Sequence, residues 1–300
     1  MNGIKAKIIC DSVIKGKPEN RITSIETKAP MFLDAEFEKH RRLSNVSSNS
    51  SSNRAIPLLK MLDKGYFLPH DIRLNKPGMQ GDLLLDDDSK EAFWNDLKDL
   101  YGYTANILKK WDKVHKQHLN RYLAGFVWQT KICTGTEWNN FWFLRVDPAA
   151  DPAMYDISKK MKHVYENSIP TEIVPGEYHL PYVRDEDIVM GQVGDSDPYC
   201  INMDDLLNVS AAGCARTSYD NHDSSNRTIE KDLKLANDLL KVYHCSPFEH
   251  QTTPMESLKH SPTLGINEWE KGVTHCDRNG DLWSNNFRGF IQYRAVIESI

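Results

Sequence analysis

Residues 4–14, IKAKIICDSVI, place Ile4, Ala6, Ile8 and Cys10 on alternate positions. That is the period of a strand with one buried face. RITSIET (21–27) is the next strand, and Pro18 falls in the turn region between the two. After Pro30 the period changes, and Leu33, Phe37 and His40 or Arg41 recur at helical spacing. A polar Ser/Asn tract then runs from Ser44 to Asn53, followed by AIPLLKML. The longest helical pattern spans Ser89 to about Phe126, with Phe93, Leu97, Leu100, Tyr101, Leu108, Trp111, Leu119 and Tyr122 on or near one stripe. Gly102 interrupts or kinks it. FVWQTKIC (126–133) is a following apolar segment. Further helices fit 152–165, with Met154, Ile157, Met161 and Val164 on one face, and 227–243, with Ile229, Leu233, Ala236 and Leu240. The stretch 168–208 is rich in Pro, Gly and Asp and reads as loops with short strands, and the tail holds one more apolar segment, FRGFIQYRAVI. Strand and helix patterns interleave with no repeat and no sharp boundary. The expectation is one domain over residues 1–300 with a mixed α/β (α+β) fold.

Composition narrows the class. The chain has 300 residues, 37 basic against 42 acidic, for a formal charge of −5, with 40% hydrophobic residues. Such a chain can bury a sizeable core. No apolar run reaches the ~18–20 residues of a membrane helix. The start, MNGIKAKIICDSVIKGK, is charged too early for a signal peptide. A soluble, cytoplasmic protein is expected, with no membrane partner. The acidic balance argues against a general nucleic-acid coat. Cys10, Cys133, Cys200, Cys214, Cys245 and Cys276 form no CxxC, so reduced thiols are expected rather than a disulfide framework or a zinc ribbon. His115 and His118 share a helix face but lack the partners of a metal site. Neither GxGxxG nor GxxxxGK[ST] is present.

Three constellations could carry chemistry. Lys39-His40-Arg41-Arg42-Leu43-Ser44, closed by Arg54, concentrates cations and hydroxyls in an acidic chain. Arginine forks match phosphate or carboxylate, and serine adds neutral donors. The competing reading is a solvated basic patch with a Ser-rich linker. Glu137-Trp-Asn-Asn-Phe-Trp-Phe-Leu-Arg-Val-Asp147 interleaves aromatics with Asn139, Asn140 and Arg145. Amides suit a heterocycle edge. The alternative is an aromatic-rich core, in which a buried Arg145 would need a partner such as Asp147. Ser246-Pro-Phe-Glu-His-Gln251 sets Glu249 beside His250, which suggests acid–base work only if the neighbours do not point apart.

Jointly these stretches resemble the flavin-dependent thymidylate synthases, the ThyX family. The family's Arg-His-Arg signature, with a serine and an arginine downstream, is matched by Lys39-His40-Arg41 and Ser52-Asn53-Arg54. Asn140 and Arg145 keep the family's Asn/Arg spacing. Pro247-Phe248-Glu249-His250 matches its Pro-Phe-Glu-His, and Cys214-Ala215-Arg216-Thr217-Ser218-Tyr219 its Ala-Arg-x-Ser-aromatic. Arg54-Ala-Ile-Pro57, Pro77-Gly-Met-Gln80, Pro175-Gly-Glu-Tyr-His-Leu-Pro181 and Phe287-Arg-Gly-Phe-Ile-Gln-Tyr-Arg294 resemble the longer, phage-type branch. The chain departs at Lys39, which keeps charge but loses the fork. Its loop from His40 to Arg54 is about three residues longer than usual, so Ser47 to Ser52 do not align one to one.

The resemblance implies an antiparallel sheet with long helices, assembled as a homotetramer with shared sites. It implies reductive methylation of dUMP to dTMP, using FAD, NADPH and methylenetetrahydrofolate, with no enzyme cysteine nucleophile. Lys39, His40, Arg41, Asn140 and His250 would be flavin contacts. Ser52, Arg54 and Arg121 would bind the nucleotide, and Arg145 would meet the pyrimidine as the catalytic cation. Two rivals are a cysteine-dependent thymidylate synthase and a nucleotide- or RNA-binding module built on the Ser/Arg loop.

Overall fold

A hairpin of β1 (Lys5–Ile14) and β2 (Lys17–Pro30) is the centre of the computed structural model. It turns at Gly16, whose φ of 71° lies in the left-handed region open to glycine. The turn is tighter than the sequence suggested. Pro18 sits just inside β2, in the irregular stretch between the pairs Ile14↔Lys17 and Val13↔Arg21, where it has no register partner to need its missing N–H. The structure describes residues 3–39, 46–78, 81, 83–184, 187, 201–222, 227–261, 263, 265 and 268–298.

β3 (Val46–Ser50), β4 (Trp128–Gly135) and β5 (Thr171–Ile173) complete a sheet of order β3-β4-β2-β1-β5. Its pairs are antiparallel except β1 with β5. Smaller strands follow: β6 (Thr252–Pro254), β7 (His275–Cys276), β8 (Leu282–Ser284), β9 (Phe287–Arg288) and β10 (Phe290–Gln292), with β10 paired to β6 and β7-β8-β9 forming a third sheet. The helices are α1 (Asp34–Lys39), α2 (Leu58–Asp63), α3 (Asp87–Lys109), α4 (Lys116–Leu119), α5 (Asn139–Arg145), α6 (Pro152–Glu166), α7 (Met203–Arg216), α8 (Ile229–Lys241) and α9 (Tyr293–Ile297). The fold is therefore the mixed α/β class expected, with sheets that are mainly antiparallel.

The main core lies on one face of the sheet. Ile25, Ala29 and Cys133 meet Trp138, Phe141 and Trp142 of the α5 region and Met154, Ile157 and Met161 of α6. α6 starts where Asp151 accepts from Ala153 N and Met154 N, with Pro152 in the first turn. The opposite face packs Ile132 against Tyr182 and Cys214. There Gly213 is required, because a Cβ would stand 2.6 Å from Tyr182 Cβ. Behind it, wholly buried Asp232 accepts from Arg216 Nε (2.7 Å), from Arg227 Nε (2.9 Å) and from Arg227 Nη2 (2.7 Å).

Three sequence expectations change. The Ser/Asn tract is not a loop: its centre is β3, an edge strand whose inward side chains, Ser47 and Asn49, are polar. α3 runs straight through Gly102, and of its stripe only Leu108 is buried, with Ala105 beside it. Phe93, Leu100 and Trp111 are exposed. Residues 203–208, read as loop, begin α7. Asn202 accepts from Asp205 N there, and the buried face is made of small residues such as Ser210, Ala211 and Ala212. Among the described residues no helix is long and apolar enough to cross a membrane.

Candidate functional site

α1 is fixed at both ends to the sheet and to α5. Asp34 pairs with Lys131 of β4, and Phe37 stacks on Phe141 of α5, 5.9 Å between centroids at 21°. Lys39 is the last residue of α1, so the basic segment leaves from beside α5. His40 and Arg41 lie outside the described residues. The chain returns at Val46, paired with Gly135 at the end of β4, and α5 begins four residues beyond Gly135. The third constellation reaches the same place, since His250 Nδ1 and Thr134 Oγ1 are 2.8 Å apart. Two of the three stretches, at 137–147 and 246–251, thus lie near Thr134–Gly135, where the strand that follows the basic stretch also begins.

Thr134 is an interior member of a buried polar row across the sheet. Ser12 of β1 contacts His179 Nδ1 (2.9 Å), and His179 Nε2 contacts Ser24 of β2 (2.8 Å). Ser24 meets Thr134 of β4 (2.5 Å), Thr134 meets His250, and His250 Nε2 meets the Asn49 side chain of β3 (3.0 Å). With its amide nitrogen toward the ring, Asn49 donates to His250 Nε2 and also reaches the carbonyls of Ser246 and Ser48, both 3.2 Å away. Both histidines are fully buried. His250 therefore has both ring nitrogens bonded within the protein, and a flavin contact from it needs one of those bonds exchanged. Glu249 points away from it and takes Arg294 instead, so the adjacent acid and histidine do not act as a pair.

This row has a consequence for pH. Burial pushes His179 down to about 3, and burial together with the nearby His179 pushes His250 down to about 3. An unfolded histidine titrates near ~6.5. Below that pH the unfolded chain takes up protons that the folded chain refuses. The stability is thus present above pH ~6.5 and lost as pH falls toward 3, at roughly 1.4 kcal/mol per pH unit for each histidine. Urea unfolding between pH 6 and 5 should show this slope, and His250→Gln should remove about half of it. An unchanged slope would mean that His250 is protonated in the folded chain.

The second group of expected site residues lies elsewhere. Ser52 follows β3, donates its N–H to Ser218 O (3.0 Å), and through Oγ accepts from Arg54 N (3.1 Å). The turn is held from below by buried Asn120, whose Nδ2 donates to Asn53 O (3.0 Å) and Ile56 O (2.8 Å), and by Lys116, which donates to Ala55 O. Arg121 is the next residue, so Arg54 and Arg121 flank one junction, both exposed. This junction is at the start of β4, where Ser51 N donates to Thr130 O (2.8 Å). It is five residues, or ~17 Å of strand, from Gly135. Along β4 the backbones that carry the two groups are thus set ~17 Å apart.

Arginine partners separate these residues from the rest. Arg21, Arg184, Arg216, Arg227, Arg288 and Arg294 are each bonded to a carboxylate, and Arg73 to the carbonyls of Gly81 and Pro148. Among the described residues, the side chains of Arg54, Arg121, Arg145 and Arg278 make no hydrogen bond or ion pair. Arg145, the last residue of α5, is half-buried like Asn140. Asp147 does not pair with it and instead accepts from Ala149 N (2.7 Å). The sequence reading missed Ser24, Asn49, Thr134 and His179. The only available signal was His179 within the Pro-Gly-Glu-Tyr-His-Leu-Pro stretch. Among the described residues no group of three His, Cys, Asp or Glu could hold a metal ion.

No family model and no curated protein matches the chain. Part of it is similar to solved structures of the UMP/dUMP methylase PolB from Streptomyces cacaoi. The form bound with 5-Br UMP is 13% identical, with a TM-score of 0.45, covering 55% of this chain and 89% of that one. The form bound with 5-Br dUMP is 12% identical, with a TM-score of 0.44, covering 55% and 90%.

Proposed function

We propose that the chain is the subunit of an enzyme that methylates dUMP to dTMP, with methylenetetrahydrofolate as carbon donor and FAD reduced by NADPH. The observation that supports this reading is the set of uncommitted arginines on the resembling motifs. Among the described residues the side chains of exposed Arg54 and Arg121 and of half-buried Arg145 make no hydrogen bond or ion pair, while the arginines of the scaffold are bonded to carboxylates or carbonyls. A half-buried guanidinium without a counterion suits an anionic ligand. FAD, when bound, would supply the electrons that convert the transferred one-carbon unit to a methyl group.

Residues toward the end of β4 would hold such a group. Asn140 would turn its amide toward a heterocycle edge, and Lys39, His40 and Arg41 would be flavin contacts, as the resemblance implies. Arg145 would stabilise negative charge as the pyrimidine N3 loses its proton, making C5 the better carbon nucleophile. Ser52, Arg54 and Arg121 would hold the phosphate. The two groups stand toward opposite ends of β4, and the reading takes the site to be shared between copies of the chain, as the resemblance implies for a homotetramer. No thiol nucleophile is needed. Burial pushes Cys10 up to about 11 and raises Cys214 as well, the opposite of activation.

Purified protein incubated with FAD should take on visible absorbance and, with NADPH and methylenetetrahydrofolate, convert dUMP to dTMP. A chain that stays colourless would exclude the proposal. Activity lost when all cysteines become serine, with the fold intact, would favour a cysteine-dependent enzyme. Arg54→Ala should weaken dUMP roughly 10–100-fold, the worth of one charge-assisted contact, and leave FAD nearly unchanged. Equal losses of both ligands would show that the Ser52 turn had collapsed.

A further inference from the structure

On the opposite side of the sheet from α5 and α6 is a cavity of about 770 Å³ that shares no side chain with the proposed reaction site. Its floor is the exposed end of the β1–β2 hairpin, and its walls come from α2 and from the segment after α7. Lys5 and Lys28 stand directly opposite each other in the antiparallel register, and two pairs further along, on the same face, are Lys7 and Glu26. Lys60 of α2 lines the same cavity. Like charges directly opposite on paired strands are destabilising, and here they occur in a chain of net charge −5.

The acids of the cavity do not relieve them. Glu26 is taken by Lys7 (3.0 Å), by His222 Nε2 (2.8 Å) and by the Tyr182 hydroxyl (2.6 Å), and these partners lower its pKa against the effect of burial. Asp220 pairs with Lys64 (2.5 Å) and accepts from Ser51 Oγ (3.1 Å). Lys60 donates to the carbonyls of Tyr219 (3.0 Å) and Asp220 (2.9 Å), which leaves its charge unmatched. Lys28 has only a distant approach to the Trp128 ring, 5.9 Å from its centroid. Among the described residues neither Lys5 nor Lys28 has an ion-pair partner. Asn221 lines the same cavity, and its Oδ1 is buried without a hydrogen-bond partner.

We infer that this cavity is an anion site for the diphosphate group of a small phosphorylated ligand. Cβ atoms opposite each other on paired strands are ~5 Å apart, a spacing over which two ammonium groups can each meet one phosphoryl of a diphosphate. Lys60 adds a third charge, and Asn221 offers an acceptor to a hydroxyl or amino group of the same ligand. The carboxylates, already bonded to the cavity walls, set a boundary that favours a compact anion over an extended nucleic-acid strand.

The test is calorimetric titration of the full-length protein with inorganic pyrophosphate at low salt. Wild type should bind, with affinity falling as salt rises. A Lys5→Gln/Lys28→Gln double variant should bind at least about tenfold more weakly, two charge-assisted contacts being lost. The same variant without ligand should melt no lower than wild type, because a like-charged pair has been removed. That readout separates a binding role from a structural one. Arg54→Ala should leave pyrophosphate binding intact while it weakens dUMP binding, so this site and the proposed reaction fail independently. Unchanged pyrophosphate affinity in the double variant would overturn the inference, as would loss of binding in Arg54→Ala. Inorganic phosphate binding as tightly as pyrophosphate would overturn the diphosphate assignment.

Discussion

Asp232→Ala is expected to destabilise the chain by about 3–5 kcal/mol. The carboxylate is wholly buried and is the shared acceptor of two guanidinium groups, at 2.6 Å from Arg216 and 2.7 Å from Arg227. Removing it leaves two cations facing each other out of water, each stripped of its strongest acceptor. Arg227 would keep the carbonyls of Tyr182 and His222, which satisfy hydrogen bonds but not charge. Asp232→Asn keeps the shape and loses the charge, so it should be nearly as damaging. Urea unfolding of both variants is the measurement. Losses under about 1 kcal/mol would mean that water reaches the cluster. Arg216 ends α7, and two residues later Ser218 O receives the Ser52 N–H. A loosened α7 should therefore also loosen the turn that presents Arg54.

Arg145→Lys tests the proposed reaction most sharply. FAD uptake should stay near wild type while methylation of dUMP slows by ~10²–10³. Lysine preserves the charge that attracts an anionic nucleotide but lacks the planar pair of donors. A contact that strengthens only as N3 ionises appears in the rate and not in ground-state binding. Single-turnover methylation begun with pre-reduced flavin isolates that step from NADPH oxidation. A wild-type rate would take Arg145 out of the chemistry. Arg294 is then a poor substitute, because it is held by Glu249 and Glu298.

The elements that the sequence made legible are those whose buried side chains are apolar and regularly spaced. β1 follows its alternation, and α6 follows Met154, Ile157 and Met161. β3 was hidden because its inward residues, Ser47 and Asn49, are matched to Gln292, Asn286 and His250 by hydrogen bonds rather than by hydrophobicity. α7 was hidden in part because a helix packed through Ser, Ala and Gly has little amphipathic contrast. α3 was legible as a helix but not as one that leaves Phe93 and Leu100 exposed, since periodicity does not report what covers a stripe. The same limit applied to the site. Its motifs could be read one by one, but their distribution over both ends of β4 follows from the β3–β4 pairing, which the polar tract concealed.

The polar row from Asn49 to Ser12 can run its protons in two continuous directions, because each member between the ends donates on one side and accepts on the other, and the carbonyls of Ser246 and Ser48 favour the one with the Asn49 nitrogen toward His250. With the Asn49 nitrogen facing His250, both His250 and His179 carry their proton on Nδ1, and every hydroxyl between them points toward Ser12. If that amide turns over, both rings become Nε2 tautomers and every hydroxyl reverses. Ser12 and Asn49 stand on β1 and β3, with two strands between them. They nevertheless share a single variable, the direction in which one file of protons points.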